Sequence, residues 1–396
     1  MEFLGYVRPD GSVGIRNHVL VVPGGVIAEK ICALVPGTKT IAMAKSGGGM
    51  TTRDREAVAR TFFGLALNPN VAGVVLHSGL VAGGYPELKV ERLAAEIAKS
   101  GKPLEVVDVM AEGGALETIM KGVKVARKMV QDASRLRREL VGIGTLCLGV
   151  KCGASDPTSG MVGNPVVGYL FDRIVESGGT AMFGETTEII GAEHILAKRA
   201  VNEQVAEEIL EAVRFVEDRA LATGEDIRTM NPVPENIASG ISSLEEKSLG
   251  AIYKAGHQPI QGVLKYAERP GKPGLFLVDT WMGITTIFPG FVAAGAQLTL
   301  FQYGGGGGAK ARTLLDVSPS IVAPLLWTSA NPVAYAQAKD SFDFYSGTVI
   351  EGTETIEEAG ERLLRLVADI ASGTLTRNET FNYADPIEVY GIDPLF

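Results

Sequence analysis

Short runs of β-branched and apolar residues alternate along this chain with longer segments of helical period, and this alternation constrains the fold more than any other feature. HVLVV at 18–22, VAGVVL at 71–76, LEVV at 104–107, TAMF at 180–183 and GLFLV at 274–278 have the length and residue types of buried strands. Between them lie turn residues and amphipathic stretches long enough for helices. Strands buried on both faces and joined through helices run parallel, because only a long crossover returns the chain in the same direction. The expected class is α/β, with two α/β domains whose sheets are mostly parallel.

The first domain is expected at 1–138, Rossmann-like, with strands at 18–22, 40–43, 71–76 and 104–107 and helices at 27–34, 54–67, 87–99 and 116–136. The charged end of the last helix, SRLRREL, marks its boundary. The second domain, 139–396, opens with a strand at 140–148 that runs into a glycine and serine loop. Asn164-Pro165 starts a helix well, since Asn caps and Pro is tolerated at the first position. A strand at 180–183 delivers Glu185 to the C-terminal edge of a sheet, where open α/β sheets bind ligands. A helix pair is expected over 192–223, a capping signal at Ser242-Ser243-Leu244-Glu245 with Gly256 as a stop, strands at 274–278 and 297–301, and a last helix at 356–372.

With 396 residues, 46% of them hydrophobic, the chain has material for a large core. Its net charge is −9 and its Lys and Arg are scattered, so no face offers itself to the phosphates of nucleic acid. No apolar run is long and charge-free enough to span a bilayer, and the N-terminus carries no signal pattern. Cys32, Cys147 and Cys152 have no paired spacing, which fits a reducing compartment and cytoplasmic residence. The expected ligand is a small molecule.

Most of the chemistry lies between Lys151 and Ile195. One polar cluster offers Cys152, Ser155, Asp156 and Ser159; the other offers Glu185, Glu188, Glu193 and His194. Groups of these types take a proton from carbon next to a carboxylate, or hold a divalent cation. Cys152 reads either as a ligand or site wall, or as a small buried apolar residue. The run Gly304 to Gly308 follows an expected strand but lacks the GK[ST] ending of a phosphate loop, and PGGVIAEK near the start lacks GxGxxG spacing. Its amides, Gly305 and Gly306 among them, suit a substrate carboxylate or hydroxyl, with Lys310 and Arg312 nearby. A turn at a subunit contact is the other use for such a run.

Four stretches in order, GYVRPDGSVGIRNHVLVVP, KCGASDPTSGMVGNPVVG, FGETTEIIGAEHI and NIASGISSLEEKSLGAIYKAGHQPI, resemble the UxaA family, the altronate and galactarate dehydratases with the large subunit of sulfolactate sulfo-lyase. The resemblance implies a metal-dependent lyase that removes water across C2–C3 of a sugar acid to give a 2-oxo-3-deoxy acid. The alternatives are C–S cleavage of (2R)-sulfolactate to pyruvate and sulfite, and a non-catalytic homologue that binds a small acid. It implies Fe2+ or Mn2+, with Mg2+ as a further candidate, held by Cys152, Glu185, Glu193 and His194. Catalysis would rest on His194, Glu185, Glu188 and Asp156, and substrate contacts on Arg16, Asn17, Ser155, Ser159, Asn164, Gly305 and Gly306. Family members carry a small β-rich SAF domain ahead of this region, whereas here Met1 leads almost directly into GYVRPDG. That implies no SAF domain in the chain, a separate small SAF subunit as partner, and a homo-oligomer. Departures from the family's pattern at AKSGGGM, LHSGLVAGG, YGGGGG and Pro319-Ser320-Ile321-Val322 bear on which acid is used.

Overall fold

The computed structural model describes residues 1–42, 49–79, 84–305 and 317–394. Gly306, Lys310 and Arg312, together with the glycines at 47, 48 and 83, lie outside the described residues.

A hairpin of β1 (Glu2–Val7) and β2 (Val13–Gly14) opens the chain. β3 (His18–Val22), β4 (Thr38–Thr40), β5 (Val71–His77) and β6 (Leu104–Val107) then form a parallel sheet in the order β4-β3-β5-β6. Successive side chains of a strand face opposite ways. Val19 and Val21 accordingly join a core with the helices Val26–Leu34 and Ala115–Ala133, and Leu20 and Val22 join another with Thr52–Leu67 and Val90–Ala98. Both cores are apolar.

The strand expected at 140–148 is two strands. β7 (Glu139–Gly142) pairs antiparallel with β1, and the chain then turns through Ile143–Thr145 before β8 (Cys147–Gly153). Leu146 N–H donates to the Ile143 carbonyl (3.1 Å) to close the turn, which redirects the chain into a larger sheet. That sheet takes β9 (Thr180–Phe183), β10 (Ile260–Leu264), β11 (Gly274–Val278), β12 (Leu298–Tyr303), β13 (Leu325–Ser329) and β14 (Phe344–Tyr345). All its pairs are parallel, in the order β10-β11-β9-β8-β12-β13-β14. The chain is therefore α/β, with mostly parallel sheets.

From β8 the chain first builds toward β9 and later returns to β12 on the opposite side, so the strand order reverses between β8 and β12. The crevice beyond the C-terminal ends at such a reversal is where ligands bind in open α/β sheets. Helices Asn164–Glu176, Glu203–Ala222 and Ile356–Ala371 cover one face of this sheet. Ile284–Ala293 covers the other, where Phe288, Phe291, Phe301 and Trp327 pack, the last two edge to face at 4.6 Å. The end of the chain returns to the first sheet: Ile387 N–H donates to the Ala42 carbonyl (2.7 Å), and Asp54 accepts from the amides of Ile392 (2.9 Å) and Asp393 (3.0 Å). No helix among the described residues is long and apolar enough to cross a membrane.

Asn164 does not cap its helix as expected, because a π-turn, Ser159–Gly163, runs straight into it. Its amide instead donates to the Gly250 carbonyl (2.9 Å). One turn later, Gly168 lets the same helix touch the backbone of Ile252–Ala255. A Cβ there would lie 2.2 Å from the Tyr253 carbonyl oxygen. We expect Gly168→Ala to lower the unfolding free energy by about 1–3 kcal/mol through overpacking. Urea denaturation measures this; an unchanged midpoint would mean the two segments separate freely.

Candidate active site

β8 and β9 end side by side, and the residues at their C-terminal edge build a buried ionic cluster. Lys151 and Cys152 come from the end of β8. After β9 the chain turns sharply, and Glu185 adopts φ 71° and ψ 64°. This left-handed conformation costs a residue with a Cβ about 1–2 kcal/mol. It is held by Thr186, whose N–H donates to the Thr280 carbonyl (2.9 Å) and whose hydroxyl donates to Asp279 (2.8 Å). The turn brings two carboxylates onto Cys152. Its N–H donates to Glu185 Oε2 (3.0 Å) and its thiol to Glu188 Oε2 (3.0 Å).

Three lysines close the cluster. Lys254, fully buried, donates to Cys152 Sγ (3.2 Å), to Glu185 Oε2 and to Glu188 Oε2 (3.4 Å). Lys151 Nζ donates to Glu185 Oε1 (2.6 Å) and to the Cys152 carbonyl (2.6 Å). Lys247 Nζ donates to Asn231 Oδ1 (2.7 Å) and pairs with Glu188 Oε1 (3.2 Å).

Burial opposes charge on a carboxylate or an ammonium, and pairing with an opposite charge offsets it. For Glu188 burial acts upward, but Lys247, Lys254 and Lys151 outweigh it and hold the carboxyl below its usual range. For Lys254 burial acts downward, and Cys152, Glu185 and Glu188 outweigh it, so the ammonium is held above its ordinary value. Burial and Glu188, joined by Glu185, push the Cys152 thiol up against Lys254 and Lys151. At neutral pH Cys152 is thus a thiol donor, not a thiolate nucleophile.

Sequence reasoning missed the lysines, yet a signal was present. The helix Leu244–Ala251, capped by Ser243, buries Leu244, Lys247, Ser248 and Ala251. That spacing is the inward face of a helix, and a lysine on it needs a buried partner.

Cys152 Sγ and one oxygen each of Glu185 and Glu188 lie within 4.8 Å of one another, all buried. A thiol sulfur and two carboxylates are compatible with a divalent ion of borderline softness. Lys254 touches all three donors, so a metal takes this position only by displacing its ammonium.

Just past β8 lies a cavity of about 220 Å³, whose lining includes Ser155, Asp156, Ser159, Asn164 and Lys247. Asp156 accepts from the Thr158 hydroxyl (2.6 Å), the Ser159 N–H (3.2 Å) and Asn331 Nδ2 (2.6 Å). The structure thus gathers Cys152, Glu185 and Glu188 into one cluster, and Ser155, Asp156, Ser159 and Asn164 around the cavity beside it.

Other expected residues are placed differently. Glu193 and His194 stand outside the three-donor group; Glu193 accepts from the Gly191 N–H, and His194 is solvent-exposed on the short helix Glu193–Ala197. The reason is the segment after β9, which sends Glu185 and Glu188 inward and then packs Ile189, Ile190, Ala192 and Leu196 in the core, leaving His194 on the outer side of its short helix. Arg16 is no substrate contact, because its guanidinium is bidentate to Glu379 (2.6 and 2.7 Å) and donates to the carbonyls of Ile15, Ile370 and Thr374. Asn17 is occupied likewise, accepting from Arg8 (2.8 Å) and donating to the Ala133 carbonyl (2.7 Å). The Gly305 amide is spent on the Ala154 carbonyl (3.0 Å), so it does not bind a ligand as expected.

Comparison with known proteins bears on this arrangement. Residues 143–390 match the family model D-galactarate/Altronate dehydratase, C-terminal, and residues 5–134 match D-galactarate dehydratase/Altronate hydrolase, second domain. The chain is 32% identical to (2R)-sulfolactate sulfo-lyase subunit beta of Chromohalobacter salexigens, over 97% of this chain and 96% of that protein. It is 32% identical to galactarate dehydratase (L-threo-forming) of Escherichia coli over 82% of this chain and 60% of that protein. It is 29% identical to altronate dehydratase of Bacillus subtilis over 97% and 76%.

Two outcomes follow from the cluster. Lys254 is the donor shared by Glu185, Glu188 and the Cys152 sulfur, so Lys254→Met, which strips that buried contact from all three, should cost about 3–5 kcal/mol of stability. Added Mn2+ should raise the Tm of this variant more than that of the wild type, and equal shifts would contradict the shared position. Glu188, held below its ordinary value of 4.5, contributes stability that is complete above that pH and is lost as pH falls through the folded value. The difference in unfolding free energy between wild type and Glu188→Gln should therefore be constant near neutrality and close below about pH 4.5. Denaturant titrations across pH check it.

Proposed function

Because the chain belongs to the D-galactarate/altronate dehydratase family and is a lyase, we propose that it eliminates water across C2–C3 of a sugar acid to give a 2-oxo-3-deoxy acid. One observation carries this reading: Lys247 both lines the cavity at the β8/β12 reversal and pairs with Glu188 of the buried cluster. Lys247 is the group of the cluster that lines this cavity, so an acid bound there meets a cation already paired with a buried carboxylate.

Proton abstraction next to a carboxylate needs a base and a field that favours the doubly charged aci-carboxylate. Glu188 takes the C2 proton, and Lys254 and Lys151 supply positive charge from below. Lys247 gives a proton to the departing C3 hydroxyl, which leaves as water, and the enol then tautomerises to the 2-oxo acid. The 3.2 Å contact between Glu188 and Lys247 lets the abstracted proton return and reset the pair. Asp156, fixed by Asn331, Thr158 and the Ser159 amide, orients substrate hydroxyls. A divalent ion such as Fe2+ or Mn2+ held by Cys152, Glu185 and Glu188 would take the place of the Lys254 ammonium and would itself supply the charge that polarises the substrate carboxylate.

A second reading, with sulfite as the leaving group, is favoured by the match along 96% of a sulfo-lyase subunit. That relative's name, subunit beta, also supports a separate small subunit as partner. The test assays the chain with a candidate small subunit on aldonates, aldarates and 3-sulfolactate, detecting 2-oxo acid and sulfite. Glu185→Gln should lower kcat by about 100-fold or more, whereas His194→Ala should stay within about tenfold of wild type. Near-normal rates in Glu185→Gln would sink the assignment.

A further inference from the structure

Beyond the cluster, one row of buried polar side chains has no task in the reaction as drawn. In the parallel register Gln302 of β12 is paired with Cys152 of β8 on one side and with Thr328 of β13 on the other. Residues in register on parallel strands share a face of the sheet. Two positions earlier the same face carries Val150 and Leu300, which are packed in the apolar core. The face thus changes from apolar to polar at its C-terminal edge, beside the thiol.

Gln302 is fully buried, and neither its Oε1 nor its Nε2 has a hydrogen-bond partner; the Thr328 hydroxyl is likewise buried without one. So is Asn164 Oδ1, on a residue that lines the cavity. The Gln302 amide presses against Gly163, where a Cβ would lie 2.0 Å from Nε2. Gly163 ends the π-turn, a distortion that recurs at functional sites. A glycine there gives the amide room. Buried groups with unused hydrogen bonds are costly and rare, and a cluster of them calls for a ligand that supplies the missing partners.

We infer that Gln302, with Thr328 and Asn164, forms a hydroxyl-reading subsite that fixes the polyhydroxy chain of the substrate against Cys152 and thereby selects among acids. This rests on the reading of the site as that of a hydroxy-acid lyase. The chemistry favours hydroxyls over a carboxylate: an amide and a hydroxyl both donate and accept, as a substrate hydroxyl does, whereas a carboxylate only accepts. Ordered water has the same hydrogen-bonding character, and the experiment separates the two sources.

Gln302→Leu removes both amide groups at similar volume, and Thr328→Val removes the hydroxyl. Each is compared with wild type for Tm and for kcat/KM, on the accepted acid and on its deoxy analogues lacking one distal hydroxyl. The expected result is an unchanged or higher Tm with a loss of about tenfold or more in kcat/KM on the full acid. Wild type should discriminate against one deoxy analogue by a similar factor, and the variant that lost its partner should not. Equal discrimination by wild type and both variants assigns the groups to water and overturns the inference. So does a fall in Tm with kcat/KM kept within about twofold. If Glu185→Gln is inert while Gln302→Leu is normal, only this inference falls; if wild type turns over no acid, the parent reading falls with it.

Discussion

A lysine ammonium with no exposure to water survives only where anions and acceptors surround it, and Lys254 meets that condition in one place. Its partners come from two strand ends, Cys152 from β8 and Glu185 with Glu188 from the turn after β9. If either strand slipped by one residue, side chains would change face and the ammonium would be left alone in the core. Register at the centre of the larger sheet and ionisation in the site are therefore one constraint. The left-handed backbone at Glu185 follows from the same demand, since a relaxed turn would send that carboxylate elsewhere.

The parts of the fold legible in the sequence were those where one local signal dominated. β3, β6, β9 and β11 lie where short β-branched or apolar runs predict them, because strands buried on both faces need continuous apolar runs. The helix at Ile284–Ala293 gave no such signal: it holds Pro289 and is apolar on nearly every side. Periodicity cannot mark a helix without a polar face. β10 and β13 are short runs that only pairing with neighbours identifies as strands. The split of 140–148 was hidden because Ile143 and Leu146 are apolar in a turn as they would be in a strand.

For the site the pattern was similar. Cys152, Glu185 and Glu188 are readable as chemistry because they stand at a strand end and in the turn after β9, among glycines and threonines. Lys247 and Lys254 stand in a helical segment, where lysine ordinarily means a solvated face, and the inward spacing of Lys247 with Leu244, Ser248 and Ala251 shows only once the helix is phased. Arg16 and Asn17 erred in the other direction. A conspicuous polar pair beside a strand looks like a binding motif, yet Arg16 ties the start of the chain to the last long helix through Glu379 and the Ile370 carbonyl. Structural arginines and substrate arginines present the same residue to the sequence reader; only the number of protein acceptors already satisfied tells them apart.

The charge of the cluster also indicates what it is made to receive. Three basic side chains, Lys151, Lys247 and Lys254, face two acidic ones, Glu185 and Glu188, and burial holds Cys152 toward its neutral thiol. In a buried site that excess of basic groups would favour the approach of an acid. A divalent cation meets the opposite situation: it adds to the excess unless the thiol ionises or an ammonium withdraws. Because a sulfur ligand binds metal as thiolate, a metal held here would have to release a proton from Cys152 and move Lys254 from the same three atoms. Metal, thiol proton and ammonium would therefore compete for one position, whereas the carboxylate of the proposed acid substrate would need none of them removed.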